Sequence, residues 1–172
     1  AHRKKTAGIW GIDPAKIPAK VGLHTMEMFR AIDRDELKCI WIQCTNPFQS
    51  LPNVTRLRKA AEARKAFIVV SDIYPTKSTQ LADVILPSAS WVEKEGVFGN
   101  TERRTQQWYR QVMPPGQARD DAWQTIAVAR RLFELGHPGM KDKDGNFLFA
   151  VRDDAGREVP AWQWEHYYDV NV

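Results

Sequence analysis

Two apolar segments on either side of a predicted helix constrain the fold of this chain more than any other feature. The segments are "LKCIWIQC" at 37–44 and "FIVVSD" at 67–72, and both are rich in residues that favour strands. Between them, apolar residues recur at helical spacing from Val54 to Ala61, with Asn53 as the predicted N-cap. Strand, helix and strand at this spacing predict a βαβ unit with parallel strands and a right-handed crossover.

The flanking sequence extends this pattern on both sides. The segment "GLHTMEMFRAI" at 22–32 has the periodicity of a helix, and "DVILP" at 83–87 has the composition of a third short strand. Asp121 precedes another helical pattern, which Gly136 is expected to end. We therefore predict an α/β fold over residues 1–136, a Rossmann-like arrangement in which helices flank a mostly parallel sheet.

The remaining residues, 137–172, differ in character. Turn signals at Asp144-Gly145 and Ala155-Gly156 predict a hairpin. The "DKDGN" segment resembles a calcium-binding loop, but its glycine comes too early and the bidentate glutamate is missing, so it is interpreted as a turn. The aromatic segment "AWQWEHYY" ends the region, and it fits either local packing or contact with another domain. We treat this region as a separate hairpin and irregular extension.

Composition excludes some classes of protein and leaves others open. The chain has 172 residues and a net charge of +4, a surplus too small to require nucleic acid or a membrane surface as a partner. No apolar run reaches the length of a membrane span. Cys39 and Cys44 lack the spacing of a metal or redox motif, and we expect them to be small buried residues. The chain opens at "AHRKKTAGIW" without a methionine, so we expect it to be a piece of a larger protein.

Polar residues follow each predicted strand. Asn46 comes after the first strand, Ser71 and Asp72 end the second, and "SASWVEKEG" with Lys94 follows the third. Because ligands of open α/β sheets bind beyond the carboxyl ends of the strands, these side chains are candidates for one nucleotide-like site. Carboxylates accept hydrogen bonds from ribose hydroxyls, lysine attracts phosphate, and Gly96 and Gly99 allow positive φ or close backbone approach. Each residue alone also fits a cap, a turn or a surface ion pair.

One continuous stretch identifies a resemblance to a known family. "SDIYPTKSTQLADVILPSASWVEKEGVFGNTERRTQQW", which begins at Ser71, closely resembles the catalytic subunit of periplasmic nitrate reductases, which are molybdopterin bis-guanine-dinucleotide oxidoreductases. The resemblance extends back through "KIPAKVGLH" and "WIQCTNPFQSLPN" and forward to "PPGQARDDAWQ", so it covers roughly residues 10–135. The combination of "ADVILP", "EKEG" and "GNTERRTQ" makes it specific.

The resemblance implies an α/β region that binds the guanine-dinucleotide part of a molybdenum cofactor. It implies no catalytic residue or metal ligand in this chain, since the family's [4Fe–4S] cysteines and molybdenum-ligating cysteine lie upstream in the parent. One of the matching positions, Asp121, is added by the resemblance alone. The implied cofactor-binding residues are Asn46, Ser71, Asp72, Lys94 and Asp121.

For the parent protein, the resemblance implies reduction of nitrate to nitrite in the periplasm. The implied partners are the rest of the catalytic subunit and a c-type cytochrome that donates electrons. The "TNP" at 45–47 is common in assimilatory nitrate reductases and formate dehydrogenases, so both stay open as alternatives. A stand-alone α/β binding module without redox chemistry is a further alternative.

Overall fold

A computed structural model describes residues 2–63, 65–152 and 155–160. Gly22–Asp121 forms one compact unit, and the described residues of Ala1–Val21 and Ala122–Val172 form another. The expected division of the chain after residue 136 stays a prediction.

The unit Gly22–Asp121 is built on a three-stranded parallel sheet. Its strands are β1 (Cys39–Gln43), β2 (Phe67–Asp72) and β3 (Val84–Pro87), in the order β1-β2-β3. Cys39 pairs with Phe67 at the start of β1, and Asp72 pairs with Pro87 at the end of β3, both in parallel register. The predicted α/β fold and its parallel strand pairing are confirmed.

The helices predicted at 22–32, from Val54 to Ala61 and after Asp121 are present, and helices at 2–10 and 47–50 were not predicted from the sequence. The α-helices of the described chain are α1 (His2–Trp10), α2 (Thr25–Asp33), α3 (Pro47–Ser50), α4 (Val54–Glu62) and α5 (Asp121–Glu134). Helices α2, α3 and α4 share one hydrophobic core with the sheet, because their apolar faces pack against the buried side chains of the strands. The buried members of this core are Phe29, Ile32, Ile42, Phe48, Leu57, Ala60, Ala61, Ala66, Ile68 and Val70.

The start of α4 departs from the prediction in one respect. Asn53 is the residue before the helix, as expected, but its backbone is left-handed at φ 55° and its side chain makes no capping hydrogen bond. Asparagine tolerates this conformation better than most residues, so Asn53 turns the chain into α4 rather than capping it. The predicted capping interaction is wrong.

An antiparallel hairpin that the sequence analysis did not predict follows β3. Its strands are β4 (Gly96–Gly99) and β5 (Thr105–Trp108). Gly96 and Gly99 are strand residues, and the only residue of the hairpin with positive φ is Arg103, at 59°. Neither glycine therefore has a positive φ, and the alternative expectation, close backbone approach of a ligand, stays a prediction. A short 3-10 turn, Trp91–Glu93, connects β3 to the hairpin.

The other unit contains α5 and the predicted C-terminal hairpin. Ile126 and Ala129 of α5 pack with Phe147 in a small core. Gly136 follows α5 at φ 82°, as a helix-ending glycine should. Strands β6 (Ala150–Arg152) and β7 (Glu158–Pro160) pair antiparallel, which confirms the hairpin.

The "DKDGN" segment is a turn, as predicted. The Asp142 carboxylate accepts hydrogen bonds from the backbone N–H groups of Asp144 and Asn146, each at 2.8 Å. Burial raises the pKa of Asp142, but these bonds, together with those from the Asn146 side chain and the Gly145 backbone, outweigh it, and the net pKa is lowered. The aromatic segment "AWQWEHYY" lies outside the described residues.

Candidate functional site

A cavity of about 250 Å³ lies at the carboxyl end of the parallel sheet. It forms where the chain leaves the strands, because the residues after β1, β2 and β3 converge at one edge of a parallel sheet. All of its lining residues belong to the unit Gly22–Asp121. Those that matter for its chemistry are Cys44, Ser71, Asp72, Trp91, Lys94 and Asp121.

The Asp72 carboxylate lines this cavity, and one of its two oxygens is available to a ligand. It is the last residue of β2, and its carbonyl oxygen accepts a hydrogen bond from the Ser88 N–H at 3.0 Å. Its Oδ1 accepts a hydrogen bond from the Ile73 N–H at 2.8 Å. Its Oδ2 has no hydrogen-bond partner among the residues that the structure describes. The half-buried carboxylate can therefore accept a hydrogen bond from a ligand hydroxyl.

Ser71 has a mainly structural contact. The residue is fully buried, and its Oγ accepts a hydrogen bond from the Trp41 Nε1–H at 2.8 Å. This bond joins neighbouring strands near the floor of the cavity, since Trp41 lies on β1 and Ser71 on β2. Ser71 lines the predicted site and also stabilises it.

Lys94 and Asp121 form an ion pair at the cavity wall. The Lys94 ammonium donates a hydrogen bond to Asp121 Oδ2, and the two side chains are only 20% and 26% exposed. Partial burial protects such a pair from salt screening. The two residues are 27 positions apart in sequence, so the pair depends on the fold. The alternative of a surface ion pair does not describe this contact, because most of both side chains is buried.

A second connection holds the segment that carries Lys94. The Ser90 N–H donates to Glu93 Oε2 at 2.7 Å, and the Glu93 N–H donates to the Ser90 carbonyl oxygen at 2.9 Å. These reciprocal contacts fix the 3-10 turn that precedes Lys94. The side chain of Glu93 therefore shapes the loop, while that of Lys94 points its charge toward Asp121.

Cys44 is a cavity residue that the sequence analysis missed. It follows β1 directly, with a left-handed backbone at φ 57°. The pKa of its thiol is raised, first by partial burial and then by the charge of Asp121 and a hydrogen bond to it, while Lys94 opposes the shift. Both Cys39 and Cys44 are exposed, so the prediction that they are small buried residues is wrong. The position of Cys44 at a strand end was the signal that could have found it.

Asn46 occupies a different place from the other predicted site residues. Its Oδ1 accepts hydrogen bonds from the Ser78 N–H at 3.1 Å and from the Ser78 hydroxyl at 2.7 Å, and its Nδ2–H donates to Gln49 Oε1 at 3.1 Å. The structure does not bring Asn46 to the lining of the 250 Å³ cavity. Asn46 instead ties the start of α3 to the loop after β2.

A larger cavity of about 550 Å³ adjoins the first. The two cavities share Ile73, Ser88 and Ser90 in their linings. The larger one extends along Tyr74 and residues 115–118. The adjoining volumes suit an extended ligand rather than a single compact one.

Comparisons with known proteins identify the family. The sequence matches a family described as "Molybdopterin oxidoreductase" over residues 4–131, which is well over half of the chain. The chain belongs to the molybdopterin oxidoreductase family. It is 51% identical over 131 residues to a nitrate reductase of Symbiobacterium thermophilum, a match that covers 76% of this chain and 17% of that protein.

A solved structure shows the same fold. Acetylene hydratase from Pelobacter acetylenicus matches 68% of this chain and 17% of its own, with a TM-score of 0.54 and 24% sequence identity. At that identity the likeness extends to the fold alone. The chain thus spans about 17% of the length of each of these relatives.

The described residues contain neither a cluster of metal-binding side chains nor a helix able to span a membrane. Within residues 2–63, 65–152 and 155–160, no group of three or more histidine, cysteine, aspartate or glutamate side chains is arranged to hold a metal ion. No helix in the described part of the chain has the length and apolar character needed to cross a membrane.

Proposed function

We propose that this chain helps to bind a bis-molybdopterin guanine dinucleotide within a molybdenum oxidoreductase that reduces nitrate to nitrite. The observation that carries the proposal is the cavity at the carboxyl end of the sheet, where Asp72, Lys94 and Asp121 meet. Membership of the molybdopterin oxidoreductase family supports the cofactor class. The similarity to a nitrate reductase supports the substrate.

The donors and acceptors around the cavity fit the nucleotide part of such a cofactor. A carboxylate with an available oxygen suits ribose hydroxyls, and an ammonium group suits phosphate. The cavity of about 250 Å³ is smaller than the roughly 300–1,000 Å³ of a pocket for a drug-sized ligand. It therefore suits one nucleotide portion of the cofactor, with the adjoining 550 Å³ cavity available to the rest of the molecule.

Each predicted residue has a distinct part in this proposal. Asp72 accepts hydrogen bonds from the ribose, and Lys94 supplies positive charge near the phosphates. Asp121 holds Lys94 in position through their ion pair. Ser71 and Asn46 keep the floor and the adjacent loop in place. When bound, the molybdenum cofactor would supply oxygen-atom transfer.

The wider context is part of the same proposal. Electrons would arrive through a [4Fe–4S] cluster held by other parts of the catalytic subunit, from a c-type cytochrome in the periplasm. An assimilatory nitrate reductase and a formate dehydrogenase are the alternative parents, because the "TNP" at 45–47 is common in both. Assaying the full-length protein separately with nitrate and with formate distinguishes them, and activity with formate alone would contradict the nitrate assignment.

Molybdenum content tests the role of this chain in cofactor binding. Asp72→Ala and Lys94→Ala, made in the full-length protein, should lower the molybdenum measured by elemental analysis of purified folded protein. Lys59→Ala on α4 is the matched control, because Lys59 is exposed and lies outside the cavity. If molybdenum content and activity are unchanged in both cavity variants, Asp72 and Lys94 have purely structural roles.

A further inference from the structure

Trp91 exposes a large aromatic surface in a cavity that charged side chains also line. The residue is 57% exposed and lines the same 250 Å³ cavity as Asp72 and Lys94. An exposed aromatic ring beside convergent polar groups is typical of a ligand site, because the ring offers apolar contact while the polar groups fix orientation. Its place among charged groups distinguishes Trp91 from Trp10, which is 61% exposed but lines no part of this cavity.

The indole of Trp91 is also held in position. Its ring packs against that of Trp108, with 4.6 Å between centroids and 50° between planes. Trp108 is itself fixed by the hairpin, where it pairs with Gly96. The reciprocal Ser90–Glu93 hydrogen bonds fix the backbone from which Trp91 projects. An aromatic group ordered before binding loses little conformational entropy when a ligand contacts it.

These observations, taken with the proposed cofactor-binding function on which the inference rests, assign a role to this side chain. We propose that Trp91 is the stacking surface for the purine ring of the bound nucleotide. Asp72 then serves the ribose and Lys94 the phosphates, so one cavity contacts all three parts of the nucleotide. The cavity is consistent with this division of roles, since the side chains of Trp91, Asp72 and Lys94 all line it.

The contribution of the ring can be isolated with two small probes. GMP and ribose 5-phosphate share the sugar and the phosphate and differ in the base. Each is titrated calorimetrically into the 172-residue chain and into Trp91→Leu. Trp91→Leu should weaken GMP binding by about 5- to 150-fold, the effect of base–aromatic stacking. Its affinity for ribose 5-phosphate should stay that of the unmodified chain.

Two further variants separate stacking from packing. Trp91→Phe keeps an aromatic face and should recover most of the GMP affinity. Trp10→Leu removes an equally exposed indole outside the cavity and should bind both probes as the unmodified chain does. Near-ultraviolet circular dichroism and thermal melting verify that each variant is folded.

The possible failures are distinguishable. If the unmodified chain binds GMP no more tightly than ribose 5-phosphate, or if Trp91→Leu weakens both probes equally, the stacking role is contradicted while a sugar-phosphate site stands. If the unmodified chain binds neither probe, the stacking role and the proposed nucleotide cavity are both contradicted.

Discussion

The thiol of Cys44 and the carboxylate of Asp121 interact at the carboxyl end of β1. Partial burial favours the neutral thiol most, and the negative charge of the Asp121 carboxylate and a hydrogen bond to it add to this effect. The nearby Lys94 opposes them, but the net result is a raised pKa for Cys44. Cys44 should therefore stay protonated, and slow to alkylate, to a higher pH than an ordinary exposed cysteine.

Replacing Asp121 tests this coupling at the level of one residue. In a Cys39→Ser background, which leaves Cys44 as the only thiol, Asp121→Asn should move the midpoint of Cys44 alkylation to lower pH. The direction follows because the substitution removes the carboxylate charge that disfavours the thiolate. Mass spectrometry of iodoacetamide labelling across a pH series gives the midpoint. An unchanged midpoint, or one that moves upward, would contradict the coupling.

At the scale of elements, the short helix α3 anchors the core through one side chain. Phe48 is fully buried and meets Phe29 of α2 edge-on, with 5.4 Å between ring centroids and 87° between planes. Phe48→Ala should lower the free energy of unfolding by about 3–5 kcal/mol, since it leaves a cavity in the core. Urea titration measures the loss. Phe98→Ala, at a half-exposed hairpin position, should change the free energy of unfolding far less, and equal losses would contradict this account of the core.

The contact between α2 and α4 has a predicted pH dependence. Asp33 ends α2, and the Arg56 guanidinium of α4 donates a hydrogen bond to its Oδ2 at 2.8 Å. The Arg56 hydrogen bond is the main cause that lowers the pKa of Asp33, against some opposition from burial. Because the pKa of Asp33 is lowered in the folded state, the ion pair stabilises the fold above the unfolded pKa of about 4. This stabilisation is lost as the pH falls through the pKa of the folded state.

Arg56→Ala is the matching test at the element scale. The variant should melt at a lower temperature than the unmodified chain at pH 7, and the difference should shrink as the pH falls from about 4 through the lowered folded pKa of Asp33, below which Asp33 is protonated in both proteins. Thermal melts followed by circular dichroism at several pH values give the comparison. Lys59→Ala, also exposed on α4, should show no such trend. A pH-independent difference for Arg56→Ala would show that the ion pair is not its cause.

Local sequence signals predicted some elements well and missed others for physical reasons. Strand β2 falls at the residues predicted, 67–72, because a β-branched run in a parallel sheet carries its signal in its own composition. The hairpin β4–β5 was missed because Gly96–Gly99 is short and glycine disfavours strands. Its formation depends on pairing with β5 and on the Trp91–Trp108 contact, which no local pattern encodes.

For the whole molecule, topology rules predicted where the site lies but not how its side chains are paired. Parallel strands place the residues after β1, β2 and β3 at one edge, so the region of the cavity followed from element order. The Lys94–Asp121 ion pair spans 27 residues, and only the family resemblance had suggested Asp121. The hydrogen bond between Asn46 and Ser78 joins residues 32 positions apart in sequence. The sequence alone therefore could not show that Asn46 contacts Ser78 instead of lining the predicted site.

The most direct test of the central claim is the affinity of the 172-residue chain for GDP, measured by equilibrium dialysis. The account predicts that the chain binds GDP and that Asp72→Asn weakens binding by about ten- to 150-fold, the value of a hydrogen bond to a charged group. Glu62→Gln, which removes an exposed carboxylate of α4 outside the cavity, should bind GDP as the unmodified chain does. Absence of GDP binding, or equal affinities for Asp72→Asn and Glu62→Gln, would contradict the claim that this cavity holds a nucleotide.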